Sequence, residues 1–138
     1  MESSNSSSCV ELTIPCKPEY VGVARLAILG VASRMRFSYD EVEDVRLAVG
    51  EACTTSVDWA ERNGKTASRI TLRSEVLSEK LIVEVFDEAG KRGDGNRTDD
   101  SEPEALGALL ITLLVDEVEV SATDSGTLVR MVKYASKQ

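Results

Sequence analysis

The chain has 138 residues and a formal charge of −8, which fits one domain with its own core and argues against direct binding to nucleic acid or an anionic membrane. It contains no histidine, which excludes a Ser-His-Asp triad, a Cys-His dyad, a histidine metal site and a phosphohistidine relay. The three cysteines, Cys9, Cys16 and Cys53, are an odd count without close spacing, so neither a disulfide framework nor a zinc or haem site is expected.

Residues 1–9, polar and serine-rich, are expected to be a disordered lead-in to a single domain over 10–138. Val10 to Pro15 alternates apolar and polar residues and predicts an edge strand, ended where Pro15 removes a backbone donor. Pro18 suits the first position of a helix, and the sequence from Val21 to Met35 continues it with a broad apolar face. Arg25 interrupts that face, and by itself it reads as a surface side chain whose charged end reaches water.

Ser38 followed by Glu41 is a capping box, so a second helix should start there and run to Arg62. Val42, Val45, Ala48, Val49, Ala52, Ser56 and Ala60 fall at spacings of three and four, giving a narrow stripe that can pack closely on a sheet. Leu47, Glu51, Thr55, Asp58 and Arg62 repeat at the same spacing on another face. That face places the Glu51 carboxylate one turn before a hydroxyl. A solvated helix flank is the bland alternative for such a pattern.

Asn63-Gly64 marks a turn, after which residues 68–76 and 80–87 predict a hairpin. Asp87 is followed by a long charged, glycine-rich run through Glu104, expected to be an exposed loop and a candidate lid. Ala105 to Val115 is apolar almost throughout and predicts a buried helix. Residues 116–123 and 127–134 alternate about a turn at Asp124 to Gly126, giving a final hairpin. No run approaches membrane-spanning length and no secretory leader is seen, so the expected compartment is the cytoplasm. The order β-α-α-β-β-loop-α-β-β predicts an α+β two-layer sandwich, with a mixed, mostly antiparallel sheet and the helices on one face.

With E-A-C-T on the second helix and V-F-D-E-A-G after a strand, the sequence resembles the bacterial anti-sigma serine kinases of the RsbW type, in the GHKL (Bergerat) ATPase superfamily. The resemblance covers about Val10 to Tyr134. It implies an ATP and Mg²⁺ site in which Glu51 matches the general base that activates a substrate serine. The family motif E-A-C-T-N-A-V has Asn as a Mg²⁺ ligand, whereas this chain reads E-A-C-T-T-S-V and places Thr55 there. A threonine hydroxyl is a poorer oxygen donor than an amide carbonyl for a hard cation. In the next motif, D-x-G, Asp87 matches the residue that accepts the adenine amine, while Ala89 replaces the glycine and Gly90 comes one residue late. In the third, a glycine-rich phosphate cradle at a helix start, Gly107 remains and Glu104 and Ala105 stand upstream. A carboxylate roughly 4 Å from phosphate at an effective dielectric of about 20 costs about 4 kcal/mol.

Three departures on three nucleotide motifs predict weakened ATP and Mg²⁺ binding with feeble or absent phosphoryl transfer. The resemblance therefore implies an anti-sigma factor that sequesters a sigma factor in a partner-switching pathway and is released by an anti-anti-sigma antagonist of the STAS type. Arg25 in V-A-R-L matches a family arginine that contacts both partners. A homodimer through the first strand and helix is implied as well. The alternative is an active serine kinase that phosphorylates the antagonist, with Glu51 as base, Thr55 on Mg²⁺ and Asp87 on adenine.

Overall fold

The computed structural model describes residues 8–89 and 101–136, without the side chains of 101–106. The expected lead-in as far as Ser7, the candidate lid and Gly90 lie outside the described residues, as do the side chains of Glu104 and Ala105.

Among the described residues, five strands form one sheet in the order β1-β2-β3-β5-β4: β1 (Ser8–Pro15), β2 (Arg69–Val76), β3 (Lys80–Asp87), β4 (Glu117–Thr123) and β5 (Gly126–Tyr134). Every pairing among the described residues is antiparallel, which corrects the expectation of a mixed sheet. For β2–β3 and β4–β5 the physical reason is that each pair is joined by a short turn, which can only reverse the chain. β1 begins at Ser8, earlier than its alternation predicts, because Ser8 and Cys9 continue the ladder opposite Val76 and Glu75.

Three α-helices among the described residues cover one face: α1 (Val21–Ala32), α2 (Tyr39–Arg62) and α3 (Ser101–Leu114). Pro18 opens a 3-10 turn over Pro18–Tyr20 and not the α-helix itself. The capping box on α2 is complete: Ser38 Oγ accepts from the Glu41 amide at 3.1 Å and the Glu41 carboxylate accepts from the Ser38 amide at 2.8 Å. The small stripe of α2 is buried from Val45 to Ala60 against the sheet, where Leu81, Val83 and Val85 of β3 stand inward. Small residues on that stripe let the helix backbone come close to the strands.

The opposite face of the sheet carries a row of alternating charge. Glu11 pairs with Arg73 at 3.5 Å, Arg73 with Glu84 at 3.7 Å, and Glu84 with Arg130 at 3.7 Å. These residues are direct neighbours in the strand register. Exposed pairs of this kind add little stability, but they keep the open face in water and leave the helices on the other side.

The apolar run on α3 predicted a buried helix, and that expectation is corrected. Gly107, Ile111 and Val115 are buried, while Leu109, Leu110 and Leu113 are exposed. A helix turns a given face inward only every three or four residues, and α3 meets α2 with one stripe. Its C-terminal end is held by Lys133 of β5, whose ammonium donates to the Leu114 carbonyl at 2.8 Å and pairs with Asp44 of α2 at 3.4 Å.

Candidate functional site

The contact between α2 and α3 brings together residues that are far apart in sequence. A Cβ placed on Gly107 would lie 2.6 Å from Glu51 Oε2 and 3.0 Å from Thr55 Oγ1. Only a residue without a side chain lets the α3 backbone sit directly on this carboxylate and hydroxyl. Thr55 Oγ1 lies 3.5 Å from Glu51 Oε2, a long contact that leaves both oxygens with capacity for another group. Both side chains are half-buried.

One residue along α2 from Thr55, the Ser56 hydroxyl donates to Asp87 Oδ2 at 2.7 Å. The other carboxylate oxygen, Oδ1, accepts from the Ala89 amide at 3.1 Å. Ser56, Asp87 and Ala89 are each 1 % exposed. The Ala89 methyl is therefore part of the core, at the place where the motif has glycine. Thr127 faces Asp87 in the β3–β5 register and is also buried. A cavity of about 280 Å³ opens beside this cluster, between α2, α3 and the inner face of β4 and β5. Its walls are mostly apolar, with Ala52, Ile111, Val120 and Val129 among them, and Thr55 and Thr127 supply hydroxyls. Such a balance of flat apolar wall and a few polar groups suits an aromatic base with a polar edge.

The chain matches the family described as the histidine kinase-like ATPase domain over residues 14–133. It belongs to the RsbW branch of that family. The serine-protein kinase RsbW of Bacillus subtilis is 37% identical over 142 residues, covering 94% of this chain and 88% of that protein. The RsbW of Bacillus pumilus is 38% identical over 143 residues, covering 94% and 87%. Among solved structures, that of the RsbU and RsbW domains of Rv1364c from Mycobacterium tuberculosis matches with a TM-score of 0.73 at 13% identity. The match takes in 95% of this chain and 33% of that longer one, so it establishes the shared fold alone.

Within that family fold, Glu51, Thr55 and Gly107 meet at one point, and Asp87 and Ala89 meet one residue further along α2. Asp58, expected on the same face as Glu51, instead lines a small hollow of about 150 Å³ with Arg25, Pro18, Val21, Thr54 and Val57, on the other flank of α2. Arg25 is not a loose surface side chain. It lies across Gly50, where an added Cβ would run into its Nε and come within 2.9 Å of Cζ. Arg25 is half-buried and makes no ion pair with any described residue.

The Cys53 thiol lies beneath these groups and is pushed up to about 12, by burial first, with the Arg25 charge opposing. It stays neutral at ordinary pH and is no nucleophile. Its folded value lies above the ordinary 9.0, so the proton held in the native state is lost from the unfolded chain first, and stability falls as pH rises above about 9.

Three positions that shape these contacts carry no sequence signal of that role. Gly50 lies inside a helix, Ser56 falls in the packing stripe of α2, and Gly126 sits in a turn. Its φ of 154° and the nearness of the Asp87 carbonyl show that the turn is built against the Asp87 end of β3.

Proposed function

We propose that this chain is an anti-sigma factor that sequesters a sigma factor and is released by an anti-anti-sigma antagonist, with its nucleotide site retained in outline and weakened in affinity. The observation that carries the reading is Arg25. Gly50 holds its half-buried guanidinium at the edge of an open hollow that the exposed Asp58 also lines, and it forms no ion pair with any described residue. A buried or half-buried cation without a counter-ion is costly alone and becomes favourable when a partner supplies the carboxylate. The extensive likeness to RsbW proteins supports the same class of role.

In this reading Asp87 accepts the adenine amine, Thr127 and the apolar cavity hold the base, and Gly107 lets the α3 backbone approach the phosphates. The Glu51 carboxylate and Thr55 hydroxyl are two oxygen donors side by side, which fits a hard cation such as Mg²⁺. The ion, when bound, neutralises phosphate charge. Thr55 offers it a shorter and weaker donor than an amide carbonyl, which lowers affinity. Homodimerisation uses the free edge of β1 together with Val10, Tyr20, Val23 and Leu26, apolar residues left exposed on β1, the 3-10 turn and α1.

Calorimetric titration against a panel of purified alternative sigma factors tests the assignment. One of them is expected to bind, and Arg25→Ala should weaken that binding by ~30-fold, the size of an interfacial hot spot, with an unchanged melting temperature. Unchanged affinity in the variant would remove Arg25 from the interface.

A further inference from the structure

We infer that Asp58 is a specificity-determining residue of the partner surface: with Arg25 it gives one hollow two opposite charges, and that hollow takes a segment of the sigma factor carrying an acidic and a basic side chain next to each other. The inference rests on the reading of Arg25 as a partner contact and deepens it by naming what must accompany the partner's carboxylate.

The hollow of about 150 Å³ is walled by Pro18, Val21 and Arg25 on one side and by Thr54, Val57 and Asp58 of α2 on the other. Most of its wall is apolar or neutral. Arg25 is half-buried and Asp58 is exposed, yet neither forms an ion pair with a described residue. The reason is where each is seated. The Arg25 guanidinium lies across Gly50, where an added Cβ would come within 2.9 Å of Cζ and Nη2. Eight residues of α2 separate Gly50 from Asp58, which is about 12 Å of helix, and a helical side chain leans back toward the N-terminus by only part of that distance. The cation and the carboxylate therefore stand at two ends of one opening.

A partner that brings carboxylates alone gains at Arg25 and is repelled at Asp58. One that brings cations alone meets the reverse. Two neighbouring side chains of opposite charge, such as those about 5–6 Å apart at i and i+4 on a helix, satisfy both ends at once. Docking excludes water from the apolar walls, which strengthens both pairs and raises the cost of a mismatch. The formal charge of −8 favours the basic member of such a pair over the rest of the surface, so Arg25 is the local exception that demands an acid beside it.

The test is calorimetric titration of the full chain with the sigma factor that binds in the panel. Asp58→Asn should weaken binding ~5-fold, the upper range for an exposed ion pair. Asp58→Lys should weaken it ~30-fold, because attraction to the partner's base becomes repulsion. Both variants should melt with wild type, since Asp58 is exposed and holds no ion pair with a described residue. In the Arg25→Ala background Asp58→Asn should cost the same ~5-fold, because the two charges engage different groups of the partner. Tighter binding by Asp58→Asn would overturn the inference and make Asp58 a counter-charge that the partner's carboxylate displaces. Unchanged binding would overturn it by placing Asp58 outside the interface. Either result beside a loss in Arg25→Ala leaves the reading of Arg25 standing. Unchanged affinity in Arg25→Ala, or no sigma factor bound, would overturn that reading and this inference with it.

Discussion

Gly126→Ala is expected to lower stability by about 3 kcal/mol, a drop in melting temperature on the order of 10 °C. Two costs add. The residue has φ of 154°, in a region that side-chain-bearing residues avoid. The new Cβ would also strike the Asp87 carbonyl and stand 2.7 Å from the Phe86 ring. Backbone on one side and an aromatic ring on the other leave little room for relaxation, unlike the flexible end of a long side chain. Because the clash falls on β3 where Asp87 begins its contacts with Ser56 and Ala89, nucleotide binding should weaken along with the fold. A thermal melt of the variant within about 2 °C of wild type would show that the β4–β5 turn is not built against β3 as described.

Asp87→Asn is expected to separate binding from folding. The Ala89 amide still finds an oxygen at the asparagine carbonyl, and the Ser56 hydroxyl, a donor to Oδ2 in the native protein, can turn and accept from the new amide nitrogen. Through these two contacts the fold should lose no more than about 1 kcal/mol. A purine amine, by contrast, meets an NH₂ group where it needs an acceptor. Donor facing donor in a water-excluded pocket should cost ADP at least ~30-fold in affinity, read by calorimetry beside a thermal melt. Wild-type ADP affinity in the variant would move the base away from Asp87.

The parts of this molecule that were legible in the sequence are those decided by local chemistry. Ser38 and Glu41 satisfy each other across one helical turn, so the start of α2 could be read without its neighbours. The strands announced themselves by alternation, and the turn at Asn63-Gly64 by its residue types, Gly64 having φ of 68°. The exposed leucines of α3 were not legible, because a continuous apolar run has lost the periodicity that tells which face is buried. The site was half visible. Glu51 and Thr55 lie one helical turn apart and could be paired by eye, and the likeness to RsbW proteins pointed to Asp87 and Gly107. The Ser56–Asp87 bond joins residues on different elements, and the seating of Arg25 over Gly50 depends on how α1 crosses α2. Spacing along the chain does not encode either contact.

Gly50 illustrates how a structural cost can point to function. Glycine inside a helix weakens it by roughly 1 kcal/mol relative to alanine. Here the missing side chain makes the trough in which Arg25 lies. The same holds at Gly107, where the empty position brings the α3 backbone onto Glu51 and Thr55.

The central claim is that the cleft between α2, α3 and the sheet is an assembled but weakened nucleotide site in a protein whose work is partner capture. Titrating Mg²⁺-ATP into the full chain by calorimetry tests it most directly. Starting from a micromolar site, the repulsion of about 4 kcal/mol expected at the altered phosphate contact gives a Kd of roughly 1 mM. A Kd of about 1 μM or below would contradict the weakening, and the absence of any heat at millimolar ATP would contradict the site itself.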